Sequence, residues 1–341
     1  MRMDPRKSNE LYQMKELLSA IQKADSILLF SHVSPDGDTI GSALAVKMML
    51  ERVEKKVTMV LDGVAPPNLF FLPGLDRIRT PGDAAAQVDA MTGNLLALAV
   101  DVSASNRLGA AEALFHSVPL TAQIDHHGTN PGYARINLVD DGVPATAILV
   151  SRLYSELGLP IRQEEAVCLY TGLSTDTGNF IYEGTNAEAF TLMARLMEAG
   201  LPLAKYGRML VRRKERAFVS LLGKALPTMV FLCEGEVAGM QVSQADMEEA
   251  GATSEHTEGV VDYAIDTSGV RLAYFAREME DGGIKFSLRA LSPYRVDQVA
   301  ELFGGGGHPL ASGCTVHAPL GEAVEQVRSA LVKAWEGSLQ A

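Results

Sequence analysis

Four apolar runs in the first half of the chain are each followed closely by aspartate or histidine residues. Three of the runs are short enough to be buried strands of a parallel sheet. In an open α/β sheet, ligands bind in the crevice beyond the carboxyl ends of the strands. If the strands are neighbours, the polar residues behind the runs should converge in that crevice. The runs are 27–30, 95–100, 120–124 and 168–173, and the residues expected to converge are His32, Asp36, Asp38, Asp101, His126 and Asp176.

Alternating strand and helix patterns favour an α/β fold for this half of the chain. Strands are predicted at 27–30, 57–61, 95–101, 120–124 and 136–139. Helices are predicted at 11–23, 41–50, 145–157 and 163–173, where apolar residues recur at helical spacing. This order predicts a doubly wound, mainly parallel sheet, and we assign residues 1–185 to that domain.

The pattern changes in the second half. Helical patterns at 186–198 and 203–226 predict a helical connector over 186–226. Runs rich in β-forming residues follow at 237–242, 270–275 and 284–289, with predicted helices at 296–303 and 320–335 around a glycine-rich loop at 304–308. This mixture predicts a smaller α+β domain over 227–341.

Composition excludes several classes of protein. Hydrophobic residues make up 47% of the chain and charged residues 21%, a profile typical of soluble proteins. No apolar run approaches the roughly 20 residues needed to cross a bilayer. The three cysteines, Cys168, Cys233 and Cys314, are widely scattered, which argues against a disulfide framework and a thiolate zinc site. We therefore expect a cytoplasmic protein without a membrane partner.

The net charge limits the kind of nucleic acid that the chain can bind. Thirty basic residues against 42 acidic ones give a formal charge of −12. Proteins that hold long or duplex nucleic acid by neutralising phosphates normally present a basic surface. A polyanionic substrate should therefore be short, and it should be held locally by metal ions and a few arginines.

The types of residue in the four clusters suit divalent metal ions. Asp36 and Asp38 flank Gly37 in a predicted tight loop, so their carboxylates can face different ions. Carboxylates with single imidazoles suit Mn²⁺ or Mg²⁺ better than structural zinc, and mixed N/O ligation favours Mn²⁺. Two such ions about 3.5–4 Å apart can lower the pKa of a shared water and bind a phosphoryl group. A lone aspartate after a strand is more often a cap, and we interpret Asp62 in that way.

Taken together, these residues resemble the DHH phosphoesterase superfamily. Its motifs are matched in order by His32-x-x-Pro-Asp36-x-Asp38-x-x-Gly41-Ser42, by Asp101, by Asp125-His126-His127 and by Asp176. The resemblance implies two Mn²⁺ ions, or Mg²⁺ or another divalent ion in their place. The implied ligands are His32, Asp36 and Asp101 for one ion and Asp38, Asp101, His126 and Asp176 for the other, with Asp101 bridging.

Three further residues are implied to act beside the ions. The resemblance implies that Asp125 orients a histidine and fixes its tautomer. It also implies that His127 faces the substrate phosphate. Arg107, just beyond Asp101, either binds a phosphate oxygen or forms a surface ion pair.

A glycine-rich segment in the second half resembles the signature of the DHH-associated domain. Residues 304–313 read Gly-Gly-Gly-Gly-His-Pro-Leu-Ala-Ser-Gly, and 258–261 and 287–289 also resemble that domain's pattern. Successive glycines expose backbone N–H groups and allow a phosphate or base to approach closely. The alternative is a glycine-rich turn without a ligand. The predicted substrate-binding residues are Arg289, Gly305, Gly306, Gly307, His308 and Ser312, the last standing where alanine is more usual in the family.

The pairing of these two domains is similar to that of the nanoRNase/pAp phosphatase group. The resemblance implies hydrolysis of very short RNAs and removal of phosphate from 3'-phosphoadenosine 5'-phosphate. The smaller domain is expected to hold the nucleotide and to close over it through a mobile connector. Three alternatives stay open, namely a linear or cyclic di-adenylate phosphodiesterase, a non-catalytic nucleotide sensor and a phosphatase for other small metabolites. A homodimer is implied by the resemblance alone.

Overall fold

The chain divides into two compact units in the computed structural model, Met1–Arg213 and Lys214–Ala341. The structure describes residues 5–88 and 93–338, so residues 1–4, 89–92 and 339–341 of the predicted domains lie outside the described residues. The division falls inside the segment 186–226, which we predicted as a connector. Among the described residues, the helices are all too short or too polar to span a lipid bilayer.

The first unit is built on five strands that form one parallel sheet. They are β1 (Ser26–Phe30), β2 (Lys56–Val60), β3 (Leu95–Val100), β4 (Leu120–Asp125) and β5 (Ile136–Val139). The sheet order is β2-β1-β3-β4-β5, with every pair parallel. The central strands read as continuous apolar runs because both of their faces are buried. The predicted α/β fold is confirmed.

The register of the central strands aligns their carboxyl ends. Phe30 of β1 pairs with Ala99 of β3, and Val100 of β3 pairs with Ile124 of β4. Parallel strands in adjacent positions release their following residues at the same edge of the sheet. The segments that begin at 31, 101 and 126 therefore start at the same edge of the sheet.

Eight α-helices accompany the sheet in the described part of this unit. They are α1 (Pro5–Lys23), α2 (Gly37–Arg52), α3 (Pro81–Val88), α4 (Glu112–Ser117), α5 (Thr146–Glu156), α6 (Gln163–Asp176), α7 (Ala187–Glu198) and α8 (Leu203–Gly207). Helix α2 begins four residues before the predicted start at 41. Asp36 caps it, accepting a 3.0 Å hydrogen bond from the Thr39 backbone N–H. Asp38 thus lies in the first helical turn, and our prediction of a tight loop there was wrong.

The long helix predicted at 203–226 is also wrong. Helix α8 ends at Gly207, a π-helical turn spans Arg208–Arg212, and α9 begins at Arg216 after an extended break. The break coincides with five successive charged residues, 212–216, all of them exposed. Such a run offers no apolar face to bury, and burial of such a face supplies most of the stability of helices in proteins.

Helices α2 and α6 approach each other closely because glycines occupy their contact positions. A Cβ placed on Gly41 would overlap the carbonyl oxygen of Cys168, and one on Gly172 would overlap the Asp38 carboxylate. Helix α2 is consequently buried at every residue from Gly37 to Lys47. This contact joins the start of α2, which carries Asp38, to the end of α6, which carries Asp176.

The second unit contains a six-stranded mixed sheet. Its strands are β6 (Val230–Leu232), β7 (Val237–Val242), β8 (Leu272–Glu278), β9 (Ile284–Ala290), β10 (Gly306–His308) and β11 (Ala311–Val316), in the order β10-β11-β9-β8-β7-β6. Only the β7–β8 pair is parallel. The helices are α9 (Arg216–Ala225), α10 (Gln244–Ala250), α11 (Asp262–Ile265), α12 (Asp297–Glu301) and α13 (Leu320–Ser338). The predicted α+β architecture is confirmed.

Both faces of this sheet are covered. Side chains of β8 alternate between two apolar cores, with Tyr274 in the core that includes α13 and Phe275 in the core that includes α9. The glycine run that we predicted as a loop forms the edge strand β10 in its second half. The reason is a tight hairpin at 309–310, which sets Gly307 opposite Ser312.

We predict that Gly41→Ala destabilises the first unit. The added methyl group meets backbone atoms of α6, which cannot rotate away, so the two helices must separate. Overpacking of this kind costs about 1–3 kcal/mol of the free energy of unfolding, measurable by denaturant unfolding. Gly82→Ala in α3 is the control, because a Cβ there meets no neighbouring atom. Equal stability of the Gly41→Ala variant and the unmodified protein would contradict the packing argument.

Candidate metal centre

Three overlapping groups of aspartate and histidine side chains lie at the carboxyl edge of the parallel sheet. Within each group the potential ligand atoms are all within 4.8 Å of one another. Asp101 is shared by two groups, and so is His126. The groups are His32, Asp36 and Asp101; Asp38, His126 and Asp176; and Asp101, His126 and His127. The structure thus brings together the six residues that the sequence led us to expect in one crevice.

Separate elements position these side chains. His32 follows β1, Asp101 follows β3, and His126 and His127 follow β4. Asp36 and Asp38 stand at the start of α2, and Asp176 is the last residue of α6. The aligned strand ends and the glycine-mediated helix contact therefore both contribute to the geometry of the centre.

Asp101 stands in the middle of the centre. It is buried and adopts a left-handed backbone conformation with φ 60°, which non-glycine residues seldom adopt outside constrained sites. Its backbone N–H donates to the Ile124 carbonyl at 2.9 Å. Its side-chain oxygens accept hydrogen bonds from two buried hydroxyls, Thr39 Oγ1 at 2.7 Å and Thr146 Oγ1 at 2.9 Å. The orientation of this carboxylate is therefore fixed by the protein.

Asp38 is held by the N-terminus of α5. Its Oδ2 accepts from the Thr146 backbone N–H at 2.5 Å, and its Oδ1 accepts from Ala147 N–H at 3.1 Å and from Ser42 Oγ at 2.7 Å. The first N–H groups of a helix lack intrahelical partners and favour negative charge. They partly compensate for the removal of this carboxylate from water.

That compensation is incomplete, as the pKa values of the carboxylates indicate. Burial, and then the charges of Asp101 and Asp176, raise the pKa of Asp38 well above its usual range. Burial and the neighbouring Asp36 raise the pKa of Asp101. Burial raises the pKa of Asp176 to about 6, although contact with His126 opposes the shift. A cation between these groups would stabilise their ionised forms.

His126 shows the same need for positive charge. Its buried Nε2 lies 3.1 Å from Asp176 Oδ2 and 3.7 Å from Asp101 Oδ1, yet it makes no hydrogen bond of good geometry among the described residues. Burial alone would lower the pKa of His126, but contact with Asp176 and the charges of Asp38 and Asp101 raise it to about 10. Positive charge is thus favoured at this nitrogen, as expected for a nitrogen that can bind a metal ion.

The contacts of Thr39 give an independent reason to expect a cation. Thr39 Oγ1 lies 2.6 Å from His32 Nε2, 3.0 Å from Asp36 Oδ1 and 2.7 Å from Asp101 Oδ2. His32 Nδ1 lies 2.6 Å from the Val33 carbonyl oxygen and must donate to it, so Nε2 of the neutral ring is an acceptor. One hydroxyl proton can serve only one of three acceptors. The donor set of carboxylate oxygens and imidazole nitrogens therefore fits a divalent ion such as Mn²⁺ or Mg²⁺.

A short chain of hydrogen bonds orients His127. Its Nδ1 donates to Asp125 Oδ1 at 2.8 Å, and the other oxygen of Asp125 accepts from Asn130 Nδ2 at 2.5 Å. The hydrogen bond to Asp125 raises the pKa of His127 despite partial burial. Asp125 itself is fully buried, whereas about a third of the His127 side chain is exposed. Arg107 lies next to His32, with Nη2 3.2 Å from His32 Nδ1.

Sequence reasoning missed the polar side chains that hold the ligands in place. Thr39 stands three residues after Asp36, and that spacing is typical of a helix cap, so it offered a usable signal. Thr146 is 108 residues from Asp38, and Asn130 belongs to no recognisable motif. Contacts of that kind depend on the tertiary fold.

The substrate-binding residues predicted in the second unit lie on neighbouring strands. Arg289 of β9 pairs with Ala311 of β11, and His308 of β10 pairs with the same residue. Ser312 Oγ donates to the His308 carbonyl at 2.7 Å. Gly306 and Gly307 are in β10 and Gly305 directly precedes it. Arg289 Nε lies 3.3 Å from Asp262 Oδ1, an ion pair that the sequence did not predict.

Comparison with known proteins agrees with this geometry. The DHH family, N-terminal domain, matches residues 26–173, and the DHHA1 domain matches residues 236–336. The chain is 31% identical to the bifunctional oligoribonuclease and PAP phosphatase NrnA of Thermus thermophilus, over 96% of this chain and 95% of that protein. It is 26% identical to the Bacillus subtilis protein of the same name, over 89% of this chain and 93% of that protein.

A solved structure extends the likeness to the complete fold. The crystal structure of an exopolyphosphatase-related protein from Bacteroides fragilis superposes with a TM-score of 0.88 at 28% identity, covering 97% of this chain and 98% of that one. One assignment follows from three observations. Family models match both halves of the chain, the aspartates and histidines converge, and relatives are matched over nearly their whole length. The chain belongs to the DHH family and carries a DHHA1 domain in its second half.

Proposed function

We propose that the chain is a divalent-metal-dependent phosphoesterase that hydrolyses short oligoribonucleotides and removes phosphate from 3'-phosphoadenosine 5'-phosphate. The observation that carries the proposal is the convergence of six aspartate and histidine side chains around Asp101. The names of the Thermus thermophilus and Bacillus subtilis relatives support the choice of substrates. We propose Mn²⁺ as the preferred ion because the donor set mixes oxygen and nitrogen.

The proposed ligand sets follow the observed groups. His32, Asp36 and Asp101 form one group and would hold one ion, and Asp38, His126 and Asp176 form another and would hold the second. We propose that Asp101, which is also grouped with His126, is a ligand of both ions. When bound, the two ions supply a water of lowered pKa and a counter-charge for the phosphoryl oxygens. Thr39 and Thr146 keep the shared carboxylate in one orientation through their hydroxyl groups.

His127 and Arg107 are proposed to act on the substrate phosphate. The hydrogen bond from His127 Nδ1 to Asp125 fixes the orientation of the ring. The other ring nitrogen, Nε2, can then donate to a phosphate oxygen as negative charge develops there. Arg107 lies beside His32 and offers a second cationic donor to the same phosphate.

The second unit is proposed to hold the nucleotide. Arg289 carries five N–H donors. Its Nε contacts Asp262 and its Nη1 donates to the Leu288 carbonyl. The exposed backbone of β10 and the Ser312 side chain lie on the adjoining strands. A nucleotide bound by these groups at one end would limit the length of RNA that is cleaved efficiently.

The substrate class is tested with RNA of graded length. We expect Mn²⁺-dependent hydrolysis of RNAs of about two to five nucleotides and of 3'-phosphoadenosine 5'-phosphate, with much slower cleavage of long RNA because few cationic groups can hold it. Product analysis by chromatography measures each rate, and linear and cyclic di-adenylate are assayed in parallel. Faster turnover of a di-adenylate than of every RNA and of the bisphosphate would overturn the substrate assignment. Two bound ions without turnover of any substrate would leave a nucleotide sensor in place of an enzyme.

Asp101→Asn tests the shared ligand. Loss of a group that merely orients a ligand costs about 10–100-fold in metal affinity or activity, so loss of the shared carboxylate should lower kcat/KM by more than about 100-fold on every substrate. Mn²⁺ at 100 times its Kd should stabilise the unmodified protein by about 2.7 kcal/mol, and the variant should lose this effect. Its metal-free form should be at least as stable, since a buried charge is removed.

Asp62→Asn is the matched control for that experiment. Asp62 also follows a strand, but its carboxylate accepts from the Ala110 backbone N–H at 2.7 Å and belongs to none of the groups described above. Thermal unfolding with and without Mn²⁺ should show the full metal-dependent shift in this control. If Asp101→Asn kept the same shift, the proposed bridging role would be rejected.

Arg289→Ala tests the division of labour between the units. Loss of a charged hydrogen bond should raise KM for a short RNA by about 10- to 100-fold. A small artificial phosphodiester, which lacks a nucleotide, should be cleaved with almost unchanged kinetics. Lys285→Ala on the same strand, where the side chain is exposed, is the control. A comparable loss on both substrates would show that Arg289 does not act through the nucleotide.

A further inference from the structure

The turn that follows Asp176 has an unusual backbone. Three successive residues, Gly178, Asn179 and Phe180, have positive φ angles of 54°, 57° and 71°. A left-handed conformation is unfavourable for a residue with a side chain because the Cβ approaches the following carbonyl oxygen. Strain of this kind persists only where surrounding contacts impose it, and it is found often at functional sites. The turn lies directly after the end of α6, where Asp176 is a proposed metal ligand.

Hydrogen bonds hold the turn in its strained form. The Asn179 N–H donates to the Ser174 carbonyl at 2.6 Å, and the Phe180 N–H donates to Thr177 Oγ1 at 3.0 Å. The N–H groups of Ile181 and Tyr182 both donate to the Thr177 carbonyl at 3.0 Å. Thr177 is buried and follows Asp176 directly, so these hydrogen bonds tie the backbone of Tyr182 to the residue next to a proposed metal ligand.

The segment is also anchored downstream. The Phe180 ring packs on the Phe190 ring at a centroid distance of 5.3 Å. Asn186 caps α7 with its side-chain oxygen and donates from Nδ2 to the Gly142 carbonyl at 3.2 Å. Residues between these anchors therefore belong to a defined structure rather than to a free loop.

The strained turn leaves two large apolar side chains open to solvent. Ile181 is 82% exposed and Tyr182 is 60% exposed. The Tyr182 ring occupies the space that a Cβ on Gly178 would fill, so the glycine allows the ring to pack against the backbone. One part of the ring is thus supported, and most of the remainder is accessible.

We propose that Tyr182, flanked by Ile181, stacks on a base of the oligonucleotide whose phosphate is held at the metal centre. The inference rests on the proposed function. An exposed aromatic ring, on a fixed segment that follows a proposed metal ligand, offers what an unpaired base needs, because every base has a face that stacks on an aromatic side chain. Stacking does not depend on base identity, which suits an enzyme that degrades RNA fragments of any sequence. The fixed backbone also reduces the entropy lost on binding.

Paired substrates test this assignment. A dinucleotide is compared with two analogues, each carrying an abasic ribose in place of one base, using the full chain with Mn²⁺. Stacking contributes about 1–3 kcal/mol per base, so Tyr182→Ala should raise KM for the intact dinucleotide by about 5- to 150-fold. For one of the analogues KM should already be raised in the unmodified protein, and the substitution should raise it no further. Tyr182→Phe should retain the KM of the unmodified protein, since stacking needs the ring and not the hydroxyl.

Tyr12→Ala is the control, because Tyr12 is equally exposed at 60% but lies on α1. Its kinetics should equal those of the unmodified protein. An unchanged KM in Tyr182→Ala, or an equal loss on the intact and both abasic substrates, would overturn the stacking assignment. If the unmodified protein hydrolyses no oligonucleotide, the proposed function fails. The stacking assignment is then tested by the affinity for a fluorescent dinucleotide in the presence of Mn²⁺. Weaker binding by Tyr182→Ala then supports stacking, and equal binding rejects it.

Discussion

Two carboxylates, those of Asp38 and Asp101, lie inside the first unit, and the structure around them is arranged to hold negative charge away from water. The N-terminus of α5 and the hydroxyls of Thr39 and Thr146 meet part of this requirement. The raised pKa values of both carboxylates show that the remainder is unmet by protein groups alone. Divalent cations bound at these carboxylates would supply the missing positive charge. The proposed chemistry then follows from the effect of the ions on water and phosphate.

Two features of the fold bring these charges together. The adjacent parallel strands β1, β3 and β4 end at one edge and deliver His32, Asp101 and His126. Helices α2 and α6 add Asp38 and Asp176, and they can do so only because Gly41 and Gly172 let their backbones approach. The same helix and strand packing that forms the core therefore also positions the residues of the centre.

Much of this arrangement could be predicted from the sequence because the strands are short apolar runs with polar ends. Residues 27–30 and 95–100 carry that pattern clearly, and the ligands directly follow them. The start of α2 was misjudged because Pro35 and Gly37 suggested a turn, whereas Asp36 caps a helix there. Thr146, Asn130 and the ion pair of Asp262 with Arg289 could not be predicted, since each depends on segments that meet only in the folded chain.

The glycine contacts between α2 and α6 also bear on the structure of the protein when no metal ion is bound. Because Gly37 to Lys47 are buried against α6, the start of α2, which carries Asp38, belongs to the core of the first unit and not to a surface loop. The metal-free protein should therefore stay folded and keep the proposed ligands in position. Binding of the ions would then need no refolding of this helix.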